Sequence, residues 1–145
     1  MPFFKKAYDN SKKSIEDVLP ILRSTFSPHI QKTEQTFHPF DFYLNDDKYF
    51  ELKERFNNYS KYPTTMIGKN KIEIASSNPD KEYYFLFKFN DGLYYIKYDD
   101  DKFSQYEIST GGRKDRGYNE YKSYCYIPIC DLIKLTTDSV EVTTI

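Results

Sequence analysis

Two short apolar segments joined by a polar turn constrain the fold of this chain more than any other stretch. They are His38-Pro39-Phe40-Asp41-Phe42-Tyr43-Leu44 and Tyr49-Phe50-Glu51-Leu52-Lys53. Between them lies Asn45-Asp46-Asp47-Lys48, residues that tolerate bent backbone and hydrogen-bond it locally. The pattern predicts a β-hairpin. Side chains alternate along a strand, so Glu51 and Lys53 share one face while Leu52 points into the opposite layer. Closing the hairpin near Asp46 and Asp47 brings Asp41 beside Glu51 or Lys53, placing two carboxylates and an ammonium in one small volume. Hard divalent cations such as Mg²⁺ are held by one or two carboxylates with water and phosphate oxygens. A neighbouring lysine can orient a water or neutralise a phosphate. The plainer reading is that Asp, Glu and Lys on an exposed strand are simply solvated. Here, however, they interrupt aromatic segments of the kind found in central strands, where an unpaired charge is costly.

The rest of the chain reads as α+β. Residues 1–10 form an arm, and Ile15, Val18, Leu19 and Leu22 repeat at helical spacing, predicting a helix over 12–26 capped by Asn10 or Ser11. Pro20 lies inside that pattern and should kink the helix or displace its start. Residues 30–36 alternate weakly as a first strand. Tyr62-Pro63-Thr64-Thr65 reads as the start of a helix that runs to Ala75, weakened by Gly68 and stopped by residues 76–80. Residues 82–89 and 93–98 flank Asn90-Asp91-Gly92, a strong hairpin signal. Strands are expected over 103–108 and 121–127, with a basic glycine-flanked loop over 110–117 between them. Pro128 should open a short helix reaching Leu135. With 145 residues and no repeat or linker, the chain fits one domain with its core over about 11–135.

Bulk properties exclude little. The net charge is -1, so no global positive field advertises nucleic acid, although acidic ligands can offset a local basic groove. Fifteen Tyr and 12 Phe accompany an absence of Trp, and most of these rings should pack strands. Cys125 and Cys130 lack metal-site spacing and read as buried reduced thiols. Without a leader or an apolar run near 18 residues, the expectation is an intracellular protein, not secreted and with no membrane partner.

Asp41, Glu51 ten positions later, and Lys53 resemble the Asp…Glu-x-Lys signature of the PD-(D/E)XK nuclease superfamily. The Pro-Asp of that name corresponds to Pro39-Phe40-Asp41, displaced by one residue, and the resemblance covers residues 11–98. The run Lys53-Glu54-Arg55 with Tyr62-Pro63-Thr64-Thr65 also looks like small nuclease-like proteins of large DNA viruses and phages. The resemblance implies a restriction-endonuclease-like mixed central sheet flanked by helices. It implies Mg²⁺ or Mn²⁺ held by Asp41, Glu51 and the Leu52 backbone carbonyl, with Lys53 positioning the water. Many members add a glutamate from the first helix. Glu16 is the best match here, with Asp17 and Glu34 behind it, although a helix-face Glu is as readily solvated. His38 abuts the site as a contact or a local cap. Arg55, Lys69, Lys71, Arg113, Lys114 and Arg116 are candidate nucleic-acid contacts, each with a solvated surface role as its alternative.

The implied activity is an endonuclease on DNA, acting as a homodimer because cutting two strands takes two centres. Holliday-junction resolvases share the size and the acidic logic. The competing readings are a catalytically inactive nuclease-fold module for binding or assembly, and a viral interaction protein with an accidental motif. The last would leave Asp41 and Glu51 far apart, whereas the first two require them about 4–5 Å apart.

Overall fold

The computed structural model describes residues 2–34, 38–112 and 121–135. In chain order the elements are α1 (Pro2–Thr25), β1 (Gln31–Lys32), β2 (Phe42–Leu44), β3 (Lys48–Glu54), β4 (Thr64–Gly68) and α2 (Lys69–Ser77). They continue with β5 (Glu82–Phe89), β6 (Gly92–Lys97), α3 (Asp100–Phe103), β7 (Glu107–Gly112), β8 (Tyr121–Pro128) and β9 (Ile133–Lys134). The hairpin forms as expected. Phe42 pairs with Phe50, Tyr43 with Tyr49 and Leu44 with Lys48, and Asn45 turns the chain at φ 54°, a left-handed conformation that asparagine tolerates.

Six strands form a mixed sheet in the order β1-β2-β3-β5-β6-β9, and β4-β8-β7 form a second, antiparallel sheet. β3 is interior, antiparallel to β2 on one side and parallel to β5 on the other. Its alternation sorts two cores onto the two faces of the large sheet. Phe42, Phe50 and Leu86 pack with Val18 and Leu22 of α1 on one side. Phe85 and Phe87 pack with Ile67, Cys125 and Ile127 of the small sheet and Ala75 of α2 on the other. The result is α+β, with the large sheet between α1 and a layer made of α2 and the small sheet.

Several local expectations give way to tertiary context. The helix start placed at Pro63–Thr65 is instead β4: Thr65 and Ile67 alternate inward and pair with Ile127 and Cys125 of β8. Two threonines and an isoleucine favour a pleated surface, and the helix begins only after Gly68. α1 begins at Pro2, within the stretch read as an arm; a helix accepts proline at its first position, where no amide bond is lost. Over the predicted strand 103–108, Asp99 caps α3 by accepting from the Lys102 amide at 2.9 Å, and β7 starts at Glu107. The helix expected after Pro128 shortens to one 3₁₀ turn, Ile129–Asp131, before β9 pairs with β6. Cys125 is buried, its thiol pushed up to about 11 by desolvation, but Cys130 is exposed.

Candidate active site

The hairpin and the β3–β5 pairing fix the acidic residues. Asp41 lies just ahead of β2, where its amide donates to the Phe50 carbonyl at 2.9 Å. Its Oδ2 accepts from the Leu52 amide at 2.8 Å, so the side chain reaches across to the middle of β3. Glu51 stands on the β3 face opposite Phe50, beneath α2, and is only 5% exposed. Lys53 Nζ lies 3.4 Å from Glu51 Oε2, and Lys71 Nζ of α2 lies at the same distance. Lys71 also donates to the Pro39 carbonyl and sits 5.1 Å from the centroid of the Phe40 ring. That single ammonium therefore ties α2 to the segment before Asp41 and to Glu51.

Burial, the neighbouring Asp41 charge and a hydrogen bond with Asp41 push the Glu51 carboxyl up to about 7, against the opposing pull of Lys53 and Lys71. A desolvated carboxylate disfavours its charged form, and a like charge alongside disfavours it further. With both carboxylates ionised, the two acids and two lysines sum to zero charge. The centre is thus a compact, partly buried set of four charged side chains held by β3, α2 and the segment just ahead of β2.

The other candidates disperse. Glu16 is exposed and pairs with Lys32 at 3.8 Å. Lys32 sits opposite Phe42 on the α1 side of the sheet, so Glu16 occupies the layer away from Glu51. Arg55 is engaged within the fold: Nε donates to Thr65 Oγ1 at 3.3 Å and Nη2 to the Met66 carbonyl at 2.6 Å, while its guanidinium lies 5.8 Å from the Phe87 ring centre. Burial lowers its pKa from the ordinary value. Lys69 is exposed at the start of α2, beside a surface cavity of about 450 Å³ that it shares with Glu73 and Tyr124. His38 caps locally, accepting from the Phe40 amide at 3.1 Å and stacking on Tyr49. Arg113, Lys114 and Arg116 lie outside the described residues. Among the described residues no group of three His, Cys, Asp or Glu converges, so the acidic cluster is the Asp41–Glu51 pair.

Sequence reasoning placed Lys71 on a nucleic-acid-facing helix and missed its contact with Glu51. A signal was present. Lys71 precedes Ala75 by four residues, so the two share a helix face, and Ala75 is buried in the core.

A mixed sheet that seats Asp41 beside a Glu51-Leu52-Lys53 strand defines a PD-(D/E)XK nuclease-like protein. Residues 2–135 match the family described as "Phage putative PDDEXK endonuclease", and the chain belongs to that family. No curated protein and no solved structure matches it. Among the described residues, no helix is long and apolar enough to cross a membrane.

Proposed function

We propose that this chain is a divalent-metal-dependent endonuclease that hydrolyses DNA phosphodiester bonds. The observation that carries the reading is the 5%-exposed Glu51 held beside Asp41 and flanked by two lysines at 3.4 Å. The residues fit a cation. Two oxygen-rich side chains converge, one of them desolvated enough to resist ionisation unless positive charge is near. Asp41 and Glu51, with the Leu52 backbone carbonyl, would hold Mg²⁺ or Mn²⁺. Such an ion supplies Lewis acidity toward the phosphate and lowers the pKa of a water.

The chain's own residues do the rest. The two acids and two lysines sum to zero, so a bound divalent cation leaves the centre with positive charge to meet the anionic phosphodiester. Charge stabilisation of that kind commonly contributes more to catalysis than any other single effect. Lys53, more exposed than Lys71, orients the attacking water and donates to the phosphate. Lys71 holds Glu51 in place and is a positioning residue. Lys69, Arg113, Lys114 and Arg116 contact the backbone of the substrate. Arg55 braces β3 against β4. Glu16 takes no part.

Incubation of supercoiled plasmid, single strands, RNA and a four-way junction with Mg²⁺ or Mn²⁺ tests the reading, alongside Asp41→Ala and Lys53→Ala. Metal-dependent cutting should fall by at least about 100-fold in both variants, the usual scale for losing an acid–base or electrostatic group. A folded protein that cuts none of these and binds no metal by calorimetry would instead be a nuclease-fold binding module.

A further inference from the structure

At the end of β3 beyond Lys53, the chain forms an open surface cavity of about 360 Å³. Arg55, Tyr59, Tyr62, Thr65, Met66 and Tyr126 line it. The size lies at the small end of ligand pockets, which run from about 300 to 1,000 Å³. One wall is rigid. The Tyr59 ring stacks on Tyr94 with 4.1 Å between centroids and 2° between planes, and its hydroxyl donates to the Ile129 carbonyl at 2.6 Å. The rim is open. Tyr62 is 52% exposed and Met66 39% exposed, and Lys61 Nζ sits 5.5 Å from the Tyr62 centroid. An exposed ring and thioether around an apolar hollow, with a cation at the lip, is the surface that stacks a flat π-system joined to an anionic backbone.

Position sharpens the occupant. Arg55 lines this cavity and follows Lys53 by two residues, roughly 7 Å along a strand. A nucleic-acid strand with one phosphate at Lys53 therefore passes the mouth. A peptide added to the β4 edge is disfavoured at the cavity, because Arg55 already takes the Met66 carbonyl that such a strand would use there. We propose that this cavity is a subsite for one unstacked nucleobase of a single strand, next to the scissile phosphate. The proposal rests on the nuclease reading and deepens it: a base inside a duplex is held in its stack, so the subsite selects unpaired strands.

Binding of short labelled oligothymidylate to full-length protein carrying Lys53→Ala tests this, against an abasic oligomer of equal length and charge. The base-bearing strand should bind about tenfold tighter, and Tyr62→Ala should remove most of that advantage while leaving abasic binding unchanged, since stacking one base contributes about 5- to 150-fold. DNA and RNA versions identify the sugar, and a base-dependent gain with either supports the subsite. Equal binding of base-bearing and abasic strands overturns it, as does no binding of either or an unchanged Tyr62→Ala. If the cavity takes a second copy of the chain instead, Tyr62→Ala will alter sedimentation and base dependence will be absent. Cleavage of single-stranded circular DNA by the unmodified protein, run in parallel with Mg²⁺ or Mn²⁺, separates the two failures. Cutting without base dependence removes the subsite alone, whereas base dependence without cutting removes the nuclease reading alone.

Discussion

At the scale of single residues, the decisive number is the Glu51 carboxyl at about 7 against an ordinary 4.5. The folded state holds this proton more tightly than the unfolded chain does. Between roughly pH 4.5 and 7 the unfolded chain ionises first, so the metal-free protein loses stability as pH rises, and above that window the curve flattens. At about 1.4 kcal/mol per pH unit the loss approaches roughly 3 kcal/mol. Denaturant unfolding should therefore show lower stability at pH 8 than at pH 5, with Glu51→Gln abolishing that slope. Lys71→Met should extend the decline to higher pH, because one of the two charges that favour the ionised form is gone. Added Mg²⁺ should stabilise the parent at pH 8 and hardly at pH 5, where a protonated ligand competes. Parallel pH profiles for the parent and Glu51→Gln would contradict the electrostatic account of the site.

At the scale of elements, α1 shows how a local rule and a tertiary demand are reconciled. Pro20 sits inside the helix and removes a backbone donor, yet it is exposed, while Val18 and Leu22 on either side are buried against the sheet. Surface helices curve with their convex side to solvent, and the freed carbonyl on that side can bond to water. Pro20→Ala restores an amide and removes a ring clash without touching the core. It should raise stability by about 1–3 kcal/mol, read as a higher melting temperature; a lower one would mean that the proline shapes the dock of α1 on the sheet. The sequence conveyed the hairpin, the β5–β6 pair and the apolar stripe of α1 because each depends on near neighbours. It misled over Thr64–Gly68, where the partner that makes a strand is β8, some 60 residues away. The same distance effect governs the site. Glu51 and Lys53 were legible as an alternation on one strand, whereas the Lys71 contact depends on where α2 lies against β4 and β8, and the distance of Glu16 from Glu51 depends on which layer α1 covers.

At the scale of the whole molecule, the large sheet keeps one apolar core on each face, and among the described residues the Asp41–Glu51 pair stands on the face opposite Phe50. A chain of net charge -1 has little long-range attraction for nucleic acid, so engagement rests on the local centre and its neighbouring contacts. One centre cuts one strand. Severing both strands of a duplex then takes either two separate encounters or two chains docked together, and the homodimer expected from the family resemblance would take the second. The two routes leave different kinetic records on supercoiled plasmid. Independent encounters accumulate nicked circles first, and linear product appears only after a lag at every protein concentration. A dimer yields linear product early, and its share of first cuts rises as concentration passes the dimer dissociation constant, while Lys53→Ala protomers mixed in should convert linear product back to nicks. Because the proposed subsite takes an unpaired strand, we expect the constant lag across a hundredfold range of protein; the concentration-dependent pattern would instead establish a dimer acting on duplex DNA.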